Sequence, residues 1–199
     1  MKYIFYLLLS ASIIYYFIPE KVIHRENGIV IKIAPVQTAA KNSTPFAIKE
    51  YKVTPMADFE LYAVVLSKDK YWIGDESDLS TYDLTFGWQE MSDQANIDKA
   101  QITHGNRFYY YKYINTIPNQ RMVETSANMH IISSNPKIDS TLAKVRIGDI
   151  VHLKGQLVRV DRPDGWHWVS SMVRTDTKGG ACELVYTQEL EILTNSLPN

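Results

Sequence analysis

The sequence predicts a mainly β protein with a minor helical part, folded as a small β-barrel behind a single N-terminal transmembrane helix. Two observations predict this fold: an uncharged apolar run at the N-terminus, and alternating apolar segments with glycine turns over the last fifty residues. With 199 residues, 45% hydrophobic and 22% charged, the chain is long enough for one packed domain and lacks the composition of a disordered one.

The N-terminal run, residues 3–18, contains no charge and is interrupted only by Ser10 and Ser12. As a helix at ~1.5 Å per residue it covers about 24 Å, slightly less than a hydrocarbon core of ~30 Å, and flanking lysines extend its reach. Because the small residues lie mid-run and not at its end, we predict that residues 1–19 form an uncleaved signal anchor. A cleaved signal peptide and a buried helix are the alternatives.

Basic residues are balanced on the two flanks of this run, so their count does not fix how the helix is oriented in the membrane. The N-terminal tail is short, and such a tail normally stays in the cytoplasm while the rest of the chain is exported. It predicts a single-pass protein of the bacterial inner membrane with an extracytoplasmic C-terminal domain. Residues 20–45 are predicted to be a linker with one short strand at residues 29–33, followed by a single β-rich domain over residues 46–199.

Alternation and turn residues predict the elements of that domain. Asn135 as cap and Pro136 as first residue predict a helix through Ala143, and a second short helix is expected at residues 79–84, capped by Ser77 or Asp78. The RPDG turn at residues 162–165 joins two predicted strands. The predicted strands are residues 59–65, 107–114, 129–133, 150–160, 166–173 and 182–193.

Several segments carry a family resemblance over residues 61–192. DLTFGWQEMSD, SANMHII, DGWHWVSSMVRTDT and GACELV, in that order, resemble segments of a family of small bacterial membrane-anchored proteins, and the resemblance implies no enzyme activity. GDIVHLKGQLV is similar to strands of oligonucleotide/oligosaccharide-binding (OB-type) barrels. The barrel is therefore expected to be OB-like or SH3-like.

Aromatic and polar residues of three segments form the predicted binding set. Trp166 and Trp168 share one face of a strand, where they either form a stacking platform for a sugar ring or peptide or pack in the core. His130 alternates out of phase with its apolar neighbours and is either a pocket residue or a satisfied structural histidine. The full set is Trp88, Asn128, His130, Trp166, Trp168, Arg174 and Asp176.

His130, Cys182 and Asp176 are the candidate catalytic residues. Cys182 is the only cysteine, so no intrachain disulfide forms; it acts as a nucleophile only if a histidine or cation lowers its pKa, and otherwise it is a small buried hydrophobe. The five histidines lack HxH or HExxH spacing, and no CxxC occurs. No metal site and no cofactor are therefore predicted.

The net charge of -1 and the absence of phosphate-binding motifs argue against nucleic acid and nucleotides as partners. The first hypothesis is a non-enzymatic binding or structural module of the envelope, held in the membrane by residues 3–18, whose partner is an envelope protein or a glycan. An envelope hydrolase using His130 with an aspartate or Cys182 is the alternative. An inverted topology would give a cytoplasm-facing OB-type module instead.

Overall fold

A computed structural model describes residues 22–173 and 182–193, and the predicted anchor at residues 1–19 lies outside them. This part of the chain is mainly β, as predicted. No helix within it combines the length and the apolar character needed to cross a bilayer. The strands are β1 Val36–Ala39, β2 Phe46–Ile48, β3 Tyr51–Lys70, β4 Tyr82–Gly87, β5 Thr103–Gly105, β6 Phe108–Tyr110, β7 Ser126–Ser133, β8 Ile150–Asp161, β9 His167–Val169 and β10 Glu183–Leu193, and the α-helices are α1 Gln94–Ala100, α2 Asn119–Glu124 and α3 Pro136–Lys144.

Five strands form a closed ring. β3 pairs antiparallel with β4, β4 antiparallel with β7, β7 parallel with β10, β10 antiparallel with β8, and β8 antiparallel with β3. β1 and β2 extend the sheet from β3, and β9 extends it from β8. The β5–β6 hairpin forms a separate two-stranded sheet between β4 and β7 in the chain.

Two irregularities in the longest strand, β3, explain how the ring closes. Buried and more exposed residues alternate from Tyr51 to Tyr62, and the stretch from Ala63 to Ser67 is buried throughout. Register shifts at Pro55/Ala57 and at Val65/Ser67 mark irregularities of the β-bulge kind, which bend a strand and increase its twist. One strand can therefore pair with both β4 and β8.

Helix α3 forms where the sequence predicts it. The Asn135 side chain accepts hydrogen bonds from the backbone N–H groups of Lys137 and Ile138, and Pro136 is the first helical residue. Ile138 and Leu142, four residues apart, are both buried. The helix connects β7 to β8.

The predicted helix at residues 79–84 is wrong. A 3-10 helix occupies Asp75–Asp78 instead, and Tyr82–Gly87 is strand β4. All six residues of β4 are buried, since one face contributes to the hydrophobic core and the other is covered by the β5–β6 hairpin. A strand buried on both faces has no alternation by which to recognise it.

Other predicted elements differ in extent. The predicted strand at residues 29–33 is not a strand: Ile31 is buried and its N–H donates to the Ser92 hydroxyl, whereas Ile29 and Ile33 are exposed. Strand β1 and the buried Ile31 show that the packed structure begins before Phe46. β8 and β10 closely match their predicted ranges, but the runs 107–114 and 166–173 shorten to the three residues each of β6 and β9.

Gly155 of β8 gives a test of the ring. A Cβ placed on Gly155 would lie 2.2 Å from the carbonyl oxygen of Tyr186 in β10. This distance is too short for a contact between two atoms, so the backbone of β8 or of β10 would have to move. Gly155→Ala should lower the free energy of unfolding by ~1–3 kcal/mol in urea titrations. Gly105→Ala, with no atom within 4 Å of the added carbon, is the matched control. Equal stability of the two variants would contradict this packing.

Candidate functional site

A cleft of about 560 Å³ opens between the β3–β4 loop, the β5–β6 hairpin and β9. His130 and Cys182 belong to its lining. The other lining residues used below are Tyr71, Ile73 and Glu76 of the loop, Asn106, Arg107 and Phe108 of the hairpin, and His167, Trp168 and Val169 of β9.

Strands β4 and β7 place a layer of polar side chains beneath this cleft. In their antiparallel register Asp83 is opposite His130, and Thr85 is opposite Asn128. The residues between them belong to the hydrophobic core, so these four side chains point to the other face of the sheet. All four are buried, and we call them the polar layer.

The tight turn of the β5–β6 hairpin places Arg107 over the polar layer. Asn106 and Arg107 both have positive φ, 52° and 64°, as a two-residue turn between paired strands requires. The guanidinium donates to Asp83 Oδ1 at 2.9 Å and to the Ser80 carbonyl at 3.1 Å, and its Nε lies 3.1 Å from Glu76 Oε2. Two carboxylates therefore neutralise this cation.

Aromatic rings flank the same guanidinium. Its carbon lies 4.2 Å from the centroid of Tyr71 and 5.3 Å from that of Trp168. The Tyr71 hydroxyl accepts a hydrogen bond from the Arg107 backbone N–H, and burial raises the pKa of Tyr71. The centroid of the Trp168 ring also lies 4.7 Å from the centroid of the His130 ring. The floor of the cleft is thus a rigid arrangement of planar groups.

Three buried polar atoms converge within the polar layer. Asp83 Oδ2 lies 2.9 Å from His130 Nδ1 and 3.9 Å from His104 Nε2, and the Asp83 side chain is completely buried. None of the three atoms has an aligned hydrogen bond from a described residue, so the short Asp83–His130 approach is an electrostatic contact rather than a well-directed hydrogen bond.

His104 reaches this cluster from the hairpin. Its Nδ1 lies 3.1 Å from the Ser67 hydroxyl. Burial lowers the pKa of His104, and the nearby charge of Asp83 opposes that shift. The neutral imidazole is therefore favoured in the folded protein.

Cys182 directly precedes β10 and lies beside the polar layer. The Asn128 side-chain amide donates to its sulfur at 3.7 Å, and the thiol lies 3.9 Å from the Arg107 carbonyl oxygen. The amide of Asn128 also donates to that carbonyl at 3.0 Å. Asn128 thus ties the base of the cleft to the hairpin.

The structure brings some of the predicted site residues together and separates others. His130, Trp168 and Cys182 line the cleft, and Asn128 lies beneath it. Trp166 packs against Trp168 and Tyr51, and Trp88 is fully buried in the core away from the cleft. The remaining predicted residues, Arg174 and Asp176, lie outside the described residues.

The sequence-based site omits the residues that organise the cleft, namely Arg107, Tyr71, Glu76 and His104. The signal for Arg107 was the stretch Gly105–Asn106–Arg107 before three aromatic residues, which is typical of a tight hairpin turn. Among the described residues, no group of three or more His, Cys, Asp or Glu side chains is arranged to hold a metal ion.

His104 predicts a pH dependence of stability. Since its pKa is lower in the folded than in the unfolded chain, the unfolded chain takes up the proton first, and stability falls as the pH drops below about 6.5, the ordinary pKa of histidine. Between pH 7.5 and pH 5.5, His104→Gln should lose less unfolding free energy than the wild type in urea titrations. His24→Gln, which changes an exposed histidine, is the control. An unchanged loss in His104→Gln would contradict the assignment.

Compared with protein-family models, with curated proteins and with solved structures, the chain has no match in any of the three.

Proposed function

We propose that this protein is a non-enzymatic binding module of the bacterial envelope, an OB-type barrel held at the membrane by residues 3–18, whose cleft binds an uncharged glycan. The observation that carries the proposal is the position of the cleft relative to the ring of strands. The five ring strands follow one another in the chain as β3, β4, β7, β8 and β10. Around the ring their order is β3, β4, β7, β10, β8, so the fifth strand in the chain lies between the third and the fourth. This Greek-key order, with a helix between the third and fourth strands, supports the proposal of an OB-type barrel.

OB-type barrels bind oligonucleotides and oligosaccharides on the face of their second and third strands, between the loop joining the first two strands and the loop joining the last two. Here the second and third strands are β4 and β7, which carry the polar layer. The first loop contributes Tyr71 and Glu76 to the cleft, and the last connection contributes β9. The cleft therefore lies at the edge of that face, where β7 contributes His130 and the β5–β6 hairpin covers β4.

Charge favours a glycan over an oligonucleotide. Binding a phosphate backbone requires several cations that are free to replace its counterions. Arg107, the cation that lines the cleft among the described residues, is already paired with Asp83 and Glu76. In the sequence, residues 174–183 contain two basic and two acidic residues, so this segment carries no net charge.

The residues of the cleft suit a sugar. Aromatic rings pack against the apolar face of a sugar ring, and Trp168, Tyr71 and Phe108 supply such rings. Planar polar groups bond to hydroxyl groups at the edge of the ring, and Glu76, Asn106 and His167 supply these. A volume of about 560 Å³ is within the range of small-ligand sites and can hold a short oligosaccharide.

An envelope hydrolase is the second candidate, favoured by the approach of Asp83 to His130 in the cleft that Cys182 also lines. The carboxylate lies beside Nδ1 without a directed hydrogen bond, so Nε2 is the ring nitrogen left for proton transfer. The two candidates differ in what happens to a bound sugar, since a hydrolase cleaves it and a binding module does not. Mass spectrometry should find the sugar unchanged if the protein only binds it.

Binding is tested with the full chain in lipid nanodiscs and three probes: N,N′-diacetylchitobiose, maltotriose and a short single-stranded DNA. We expect a neutral sugar to bind and the DNA to bind weakly or not at all, even at low salt. Phe108→Ala should weaken sugar binding about fivefold, because an exposed ring of the cleft is lost. Tyr113→Ala, an exposed aromatic that does not line the cleft, should not. Binding of the DNA alone, in calorimetry, would refute the proposal.

The proposed topology is tested separately by enzyme fusions to the C-terminus. Alkaline phosphatase folds only outside the cytoplasm, so we expect the phosphatase fusion to be active and a β-galactosidase fusion to be inactive. The reverse pattern would support a cytoplasm-facing OB-type module instead.

A further inference from the structure

We propose that the ligand is a glycan bearing a peptide, and that the peptide adds as a further strand to the edge of β9 that pairs with no strand among the described residues. The sugar half of this inference rests on the proposed function; the peptide half rests on the hydrogen bonding of β9.

Strand β9 pairs with β8 on one side. Two backbone hydrogen bonds, one beyond each end of β9, show which of its residues bond to β8. Ser170 N–H donates to the Val158 carbonyl, and Arg162 N–H donates to the Trp166 carbonyl. Antiparallel pairs alternate between bonded and non-bonded positions. Between those two bonds Trp168 therefore bonds to Val160, and the main-chain groups of the remaining two residues of β9 point away from β8.

Those two residues are His167 and Val169. Neither main chain has a hydrogen-bond partner among the described residues, and both residues line the cleft. Each presents one N–H and one C=O at the spacing of an extended strand. An extended polypeptide is the partner that satisfies such an edge in register, as in strand-addition complexes.

The surroundings of the edge fit a peptide of a few residues. Ile73 is 92% exposed and Phe108 40% exposed, and both line the cleft that contains the edge. In strand addition, pockets for alternate side chains give specificity, and these two apolar side chains offer such contacts. Because β9 is only three residues long, it selects one short segment and does not template an open sheet.

The same strand also faces the sugar site. The ring of Trp168 contacts Arg107 and His130 on the floor of the cleft, whereas the main chain of its two neighbours forms the edge. A ligand with a sugar ring on the floor and a peptide along the edge would engage both features at once. Linking two weakly bound parts raises the affinity above that of either part.

The experiment measures binding of three probes to the full chain in lipid nanodiscs. The probes are N,N′-diacetylchitobiose, an uncharged acetylated and amidated Thr-Ala-Thr-Ala peptide, and that peptide carrying the disaccharide on its second threonine. We expect the glycopeptide to bind at least tenfold more tightly than the disaccharide. Methylating the amide nitrogens of its peptide should remove most of that gain, because the methylated strand has lost its donors.

Val169→Pro tests the edge on the protein. Proline removes the outward N–H, and edge strands tolerate it because that N–H takes no part in the ladder. It should weaken glycopeptide binding roughly fivefold more than it weakens disaccharide binding, because the disaccharide forms no strand-type hydrogen bond with that N–H. Val169→Thr, which keeps the N–H and the branched shape, is the matched control, and near-ultraviolet circular dichroism checks folding.

The outcomes separate this inference from the proposed function. Equal affinity for disaccharide and glycopeptide would overturn the inference and leave the proposed function standing. Binding of the peptide alone, without any contribution from the sugar, would overturn the proposed function and the glycopeptide inference while retaining the edge. Dimerisation that Val169→Pro abolishes would make a second copy of the chain the partner of the edge, and would overturn the inference.

Discussion

The ion pair between Asp83 and Arg107 is the interaction on which the cleft depends. Asp83 is completely buried on β4, and a buried carboxylate without a cation is unfavourable by several kcal/mol. Arg107 reaches it from the turn of the β5–β6 hairpin, 24 residues further along the chain. Removing either partner leaves an uncompensated charge, at a typical cost of about 3–5 kcal/mol, so the hairpin is held over β4 and β7 by electrostatics as much as by packing.

This pairing also sets the character of the cleft. Because Arg107 is shared between Asp83 and Glu76, it acts less as a free anion receptor than as a planar donor held between Tyr71 and Trp168. An anionic ligand would have to compete with two carboxylates already in place. A neutral ligand leaves the ion pairs intact and gains contacts with the rings around them. Under the proposed function, the ion pair therefore links the stability of the fold to the preference for an uncharged ligand.

The features that the sequence predicted are those with local causes. Helix α3 has its cap and its proline within two consecutive residues, Asn135 and Pro136, and β8 and β10 alternate over a dozen residues. Strand β1 lies in the segment that the sequence predicts to be a linker, because that segment is rich in Pro, Ser, Thr, Asn and Ala and has no apolar period. Pairing with β3, between Val36 and Glu60, defines the strand. Such an edge strand is visible only once its partner is in place.

The cleft depends on non-local contacts in the same way. Asp83 faces His130 because β4 and β7 pair in one register, and 47 residues separate the two in the chain. His130 and Trp168 are unusual residue types at alternating positions, and Cys182 is the only cysteine in the sequence. The fold brings these three to one cleft. Arg107 has the opposite character: an arginine beside tyrosines is ordinary in sequence, and only the hairpin turn directs it inward.

Strand β9 shows how packing prepares a binding edge. A three-residue strand has little stability of its own, since few hydrogen bonds oppose the loss of backbone entropy. Two tryptophans supply the difference, one just before the strand and one at its centre: Trp166 packs edge-on against Tyr51, and Trp168 packs against His130 and Trp166. The turn before it is closed by Gly165 at φ 94°, a conformation that glycine adopts without strain. An edge ordered before binding costs a ligand less entropy, so aromatic residues that resemble a sugar platform in the sequence also give β9 its rigidity.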